Sequence, residues 1–323
     1  MDPRMSHQSA LLDDASSTLA QLQRSLAQSG VAVPSLDALA RIALSLLDRP
    51  GDAVLGQICR RDGAESAFCL ALETHRLQEG ARGSLRQAGA GWPQVLAEGV
   101  KVALRASQSL QFGVSTPFAP YWPLELQDLG DAAPLALWTA GDASLLTSDG
   151  KVTIIGGRTG SVYGRGRAVE LAAELARRGH VIVTPASTGT DLDVVSAALA
   201  AGGRVIALTA GGLDRPDAAS AEALRAIVDA GGAIATEVPP TARTTQPRLL
   251  ARCRLLAAVS PQLLVLEAGI HSPAVAAARM AGDLGRDVAA LSGANGAWSA
   301  GSQLLVDELT ARRVSGAGAL LQR

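Results

Sequence analysis

Little in this sequence could bind a metal or cross-link the chain. Its three cysteines, Cys59, Cys69 and Cys253, are too scattered for a CxxC site or a disulfide framework, and its four histidines stand singly. No apolar run reaches the roughly 20 residues needed to span a bilayer. The opening residues MDPRMSHQSALLDDASS place acids where a signal peptide has a basic start and an apolar core. The expectation is a protein of the reducing cytoplasm, with no membrane segment, no structural metal and no cofactor. Also missing is any GKS or GKT, which excludes a Walker phosphate loop. The formal net charge of −1 gives no global nucleic-acid footprint. That charge is unevenly spread, however. Residues 151–323 hold 18 Lys and Arg against 14 Asp and Glu, and residues 1–150 hold 11 against 16. A modest basic patch in the C-terminal part is compatible with this, and a strongly basic domain is not.

What is present is enough apolar sequence, 48% of 323 residues, for a sizeable core in more than one domain. Residues 1–35 read as a mobile or loosely packed segment, with Leu11, Ala15, Leu19, Leu22 and Leu26 at helical spacing. From residue 36 to 112 the pattern is helical, broken at 49–52, 61–63 and 91–93, which predicts a small all-helical domain. Residues 113–134 gather prolines and aromatics without a period. They read as a linker packed on the following domain, with Tyr121 and Trp122 as anchors.

From residue 135 to 323 strand and helix patterns alternate. Strands are predicted at 135–140, 151–156, 180–185, 204–209, 233–237, 263–268 and 287–292. Helices are predicted near 163–178, 191–201, 218–230, 248–259, 273–284 and 300–312. The strands from 151 onward are almost wholly apolar, as in a parallel sheet covered on both faces. The predicted fold is α/β, a Rossmann-like doubly wound and mostly parallel sheet, with the small helical domain before it.

Ligands on such sheets bind beyond the carboxyl ends of the strands. The loop after the first strand of the alternation, in VTIIGGRTGSVYG, contains Gly156, Gly157 and Arg158. A dinucleotide fingerprint fails here, because Arg158 stands where G-x-G-x-x-G needs its second glycine. Two readings stay open: small residues admitting an anion to the helix start beside Arg158, or a tight turn with Arg158 paired to an acid. In QPRLLARCRLLAAVS, helical spacing puts Arg248 and Arg252 on one side, with Leu249, Cys253 and Leu256 buried and Arg254 pointing elsewhere. That helix offers either a phosphate track with Arg158 or a solvated face. Thr190 with Asp193 reads as a capping box, and Ser272 before Pro273 as a helix cap. Tyr121, Trp122, Trp138 and Trp298 read as packing residues rather than base-stacking ones.

Taken in order, these loops resemble the DNA-processing protein A family, also called Smf or DprA. Its GSR, SGxAxGID, ExPP, FPxRNRIIxxLS, VVEAxxxSG and PG motifs correspond to GGR at 156–158, TPASTGTD at 184–191, EVPP at 237–240, LLARCRLLAAVS at 249–260, VLEAGIHSP at 265–273 and SG at 292–293. The likeness covers residues 36–321. It implies an extended Rossmann fold after a SAM-like helical domain, a homodimer, binding of single-stranded DNA, and loading of RecA recombinase during DNA uptake and transformation, without catalysis. By position, the resemblance makes Arg158, Arg252 and Arg254 the phosphate-binding arginines and has Gly156, Gly157, Gly189 and Ser272 shape the pocket. Arg248 joins them as the neighbouring cation on the same helix. Sequence-independent binding of a strand calls for such charge and backbone amides along a groove.

The chain departs from the family pattern at Thr184, Pro185, Leu249, Leu250, Cys253, Pro273 and Ser292; Pro185 also removes an amide that could meet a phosphate. Two further readings therefore stand. One is a nucleotide-binding or nucleotide-cleaving enzyme of the related fold group, such as the cytokinin-activating phosphoribohydrolases, although their PGGxGTxxE stretch has no counterpart here. The other is a protein-interaction scaffold that has lost DNA binding.

Overall fold

The computed structural model describes residues 17–28, 34–47, 50–71, 99–105, 112–214, 216–291 and 299–321. The chain forms two compact units, one of residues 1–119, 130–138 and 237–240, the other of residues 120–129, 139–236 and 241–323.

The first unit is built largely from short helices. Helix α1 (Leu36–Ser45) starts at Ser35, whose hydroxyl accepts from the Ala38 amide at 3.2 Å. It buries Leu39, Ile42 and Leu44. Helix α2 (Ala53–Asp62) starts at Asp52, whose carboxylate accepts from Val54 and Leu55, and it ends at Gly63 with φ +89°. Gly56 of α2 lies so close to Asp131 that a β-carbon there would stand 1.8 Å from its carbonyl oxygen. Residues 17–28 are helical, with Leu19, Leu22 and Leu26 buried along one stripe. Much of the helical pattern predicted between 72 and 98 lies outside the described residues.

The sheet has nine strands: β1 (Gly113–Ser115), β2 (Leu137–Gly141), β3 (Lys151–Ile155), β4 (Val181–Thr184), β5 (Val205–Leu208), β6 (Ala233–Thr236), β7 (Gln262–Val265), β8 (Asp287–Leu291) and β9 (Arg312–Val314). Their order is β1-β2-β6-β5-β4-β3-β7-β8-β9. All neighbours from β6 through β9 pair in parallel, with Val152 opposite both Ile182 and Gln262. Every residue of β3 to β7 is buried, which requires cover on both faces.

That cover comes from α3 (Val162–Arg177), α4 (Thr190–Ala200), α5 (Ala221–Asp229), α6 (Gln246–Ala258), α7 (Pro273–Asp283), α8 (Ala300–Asp307) and α9 (Ala317–Leu321). Helix α3 packs on α4, and α6 on α7. The buried hydroxyl of Thr153 donates to the Leu256 carbonyl or the Ser260 hydroxyl, tying the central strand to the end of α6.

The strand predicted at 135–140 begins two residues later. The helix predicted to run to 312 ends at Asp307, and β9 follows. Two arginines in a three-residue strand hide its β character; Arg312 gains its place by forking onto Asp287 of β8, with both bonds at 2.9 Å. Trp122 is buried, whereas Tyr121 is half exposed. Trp138 is fully buried, and Trp298 lies outside the described residues. Among the described residues, no helix is long and apolar enough to cross a membrane.

Candidate nucleic-acid interface

The chain leaves β3 on one side to build β4, β5 and β6, then returns to the other side with β7. The loops after β3 and β7 therefore diverge over the carboxyl edge of the sheet, the place where such folds open a crevice. Here that crevice is filled from within. The Glu267 carboxylate, 1% exposed, accepts from the Ser161 amide at 2.6 Å and from the Ser161 hydroxyl at 2.7 Å. Its own carbonyl accepts from the Gly157 amide at 2.8 Å. The Ser161 hydroxyl also receives the Gly164 amide and so caps α3. A carboxylate of the chain thus sits at the positive end of α3, where an incoming phosphate would otherwise be stabilised. Of the two readings of this loop, admission of an anion to the helix start meets a carboxylate already in place: Gly164 leaves room for Glu267, whose carboxyl carbon would lie 2.2 Å from an added β-carbon.

On the β4 side, the loop after β3 rests on the loop before α4. The Gly156 amide donates to Asp191 at 3.1 Å, and the Thr190 hydroxyl donates to the Gly157 carbonyl at 3.2 Å. Gly189, at φ +72°, lies directly against the Arg158 peptide. The capping box expected at Thr190 and Asp193 does not form. Gly189 occupies the cap position without a side-chain bond, because Thr190 turns toward Gly157 and Asp193 forks with Arg165 at 2.6 and 2.8 Å.

The arginines differ sharply in their surroundings. Arg158 is exposed and has no hydrogen-bonding or ionic side-chain partner among the described residues. Arg252, 6% exposed, donates to the Ser187 hydroxyl at 3.3 Å and faces Asp191, while its Nε is buried without a partner among the described residues. Burial depresses its proton affinity, opposed by the charge of Asp191. Burial likewise pushes the Asp191 carboxyl up to about 7, against the pull of Arg252 and of the Gly156 and Ser187 amides. Arg254 is buried and donates to the Ala251 carbonyl at 2.8 Å, and Arg248 is half-buried and reaches the Arg243 carbonyl.

The structure therefore brings Gly156, Gly157, Arg158, Gly189 and Arg252 into one assembly, held by Asp191 and Ser187. Arg248 and Arg254 bond backbone of α6 and its approach. Ser272 caps α7, its hydroxyl accepting from Ala274 at 3.2 Å. The expected division of α6 into an arginine face and a buried stripe does not hold beyond Ala251, since every residue from Arg252 to Ala258 is buried. Cys253 is enclosed, with Pro273 of α7 against its sulfur. Asp191 and Glu267 were missed as functional residues; both stood in the quoted loops as lone acids at strand ends.

A mostly parallel sheet wound in both directions from β3, with an arginine on its carboxyl edge that is unpaired among the described residues, defines a Rossmann-like α/β protein. The chain belongs to the DNA recombination-mediator protein A family, whose model matches residues 113–323. A Mycobacterium tuberculosis protein bearing the family name DprA is 39% identical over 162 residues, which is 50% of this chain and 42% of that protein. The chain thus spans well under half of that relative. The crystal structure of DNA processing protein A from Streptococcus pneumoniae superposes with a TM-score of 0.60 at 26% identity, covering 72% of this chain and 83% of that one. DNA processing protein A from Helicobacter pylori, whose structure concerns its mode of binding single-stranded DNA, gives 0.57 at 26% identity, covering 64% and 93%.

Proposed function

We propose that this protein binds single-stranded DNA and assists DNA uptake and RecA-dependent recombination, acting without catalysis, as a homodimer in the cytoplasm. The observation that carries the reading is Arg158, an exposed guanidinium on a loop whose backbone packs against Gly189 at the sheet's carboxyl edge, not paired to any carboxylate among the described residues. An unpaired forked donor on a backbone-braced loop suits a phosphate passing along the surface. Arg252 contributes as a buried positive charge beneath that loop, and Gly156, Gly157 and Gly189 shape it. Arg248, Arg254 and Ser272 complete the proposed phosphate-binding set. The two acids of the crest, Asp191 and Glu267, hydrogen-bond the chain's own amides, which suits a scaffold better than a general acid or base.

The RecA and dimer assignments rest on family resemblance. The DNA assignment is tested by fluorescence anisotropy with labelled oligonucleotides of unrelated sequence at several salt concentrations. Arg158→Ala should weaken all of them alike and lower the magnitude of the salt slope by about one. Unchanged affinity and slope would remove the reading.

A further inference from the structure

Two apolar side chains stand exposed in the first turn of α3, immediately after the Arg158 loop: Val162, 92% exposed, and Tyr163, 53% exposed. Among the described residues the exposed rings are Phe118, Tyr121 and Tyr163, and of these Tyr163 stands on the crest. Its position is fixed rather than incidental. Ser161 is locked by Glu267, Gly164 faces inward against the same carboxylate, and Arg165 forks onto Asp193. With about 100° between successive helix residues, Tyr163 leaves α3 on the flank of Gly164 opposite to Arg165. Tyr163 follows Arg158 by five positions, at most about 18 Å even if fully extended. The cap turn shortens that distance, so cation and ring lie within reach of a few linked nucleotides.

We propose that Tyr163, with Val162 beside it, is a platform on which a base of the bound strand stacks, while Arg158 holds a neighbouring phosphate. The proposal rests on the single-stranded DNA reading and specifies how that site takes its ligand. A phosphate contact alone does not distinguish a single strand from a duplex. An exposed ring does, because only unpaired bases offer a free face, and stacking tolerates any sequence. The adjacent cation and ring match the charge and the flat apolar face of one nucleotide unit.

The test uses the full chain and two labelled strands of equal length, an oligothymidylate and an abasic strand carrying the same phosphates without bases. Tyr163→Ala should lose about tenfold in affinity for oligothymidylate and nothing for the abasic strand. Tyr163→Phe, which keeps the ring, should bind both as the wild type does. Arg158→Ala should weaken binding to both strands. The stacking proposal is overturned if Tyr163→Ala binds oligothymidylate normally, if it loses equally on the two strands, or if Tyr163→Phe falls as far as Tyr163→Ala. A loss in Arg158→Ala alone would leave the DNA reading standing and remove only the platform. A wild-type protein that binds neither strand would end both.

Discussion

The peptide of Gly189 is packed against that of Arg158 so closely that a β-carbon on Gly189 would fall 2.1 Å from the Arg158 carbonyl oxygen. The start of α4 therefore sets the position of the exposed arginine, although the two residues lie on different crossovers.

Gly189→Ala should displace that loop as well as strain its own backbone at φ +72°. Gly202 provides the comparison, since it has φ +76° with nothing within 4 Å of an added β-carbon. Gly202→Ala is expected to cost about 1 kcal/mol in urea denaturation, the conformational term alone. Gly189→Ala should cost at least about twice that and weaken binding to single-stranded DNA. Equal stability losses in the two variants would show that the contact with Arg158 is not restrictive.

The winding of the sheet was legible because β3 to β7 are almost wholly apolar runs between helical periods, the pattern a doubly covered parallel sheet requires. The glycines and Arg158 were legible as a loop because nothing else suits the end of such a strand. The partners were not. Asp191 and Arg252 meet across two crossovers, and burial of a charged residue is a tertiary outcome that a helical repeat does not encode. Thr190 shows the same limit: its sequence spacing to Asp193 matched a capping box, yet each side chain found a better partner in the loop or helix beside it.

Asp191 should make stability depend on pH. In the folded chain its carboxyl retains its proton up to about 7, whereas in the unfolded chain it ionises near the ordinary value of 3.8. Between these values the folded state binds more protons, so this contribution to stability is largest in acid and declines as pH rises through the window, levelling off above it. Asp191→Asn cannot ionise, and its urea midpoint should change less than that of the wild type between about pH 4 and 7. Parallel midpoint-against-pH curves for the two proteins would contradict this account.

Glu267 and Gly164 should behave as one unit. Glu267→Ala leaves the part-buried Ser161 amide and hydroxyl without their charged acceptor and is expected to cost about 2 kcal/mol; Glu267→Gln, which keeps one carbonyl oxygen, should cost less. Gly164→Ala forces a methyl against the carboxyl group and should destabilise strongly by itself. If the two sites are coupled, the Gly164→Ala and Glu267→Ala double variant will lose less than the two single losses combined, measured by denaturant unfolding. Strict additivity would mean that the close approach has no energetic weight.

A similar asymmetry is expected at Lys151, whose ammonium is buried, donates to the Leu146 carbonyl at 2.7 Å and pairs with Glu125 at 2.7 Å. Removing the acid strands a buried cation, whereas replacing the lysine removes that charge altogether. Glu125→Gln should therefore cost about 2 kcal/mol, below the usual loss for a fully buried pair because the Glu125 side chain is one-third exposed. Lys151→Met should cost less than that in the same unfolding measurement, and the reverse order would refute the argument.

The carboxylate of Glu267 also has a bearing on what this surface can respond to. Many sheets of this winding keep an empty oxyanion seat at their switch point, and soluble nucleotides compete for it. In this chain the seat is taken by a tethered group that cannot diffuse away. If the protein binds single strands as proposed, free mononucleotides should therefore be poor competitors for the strand.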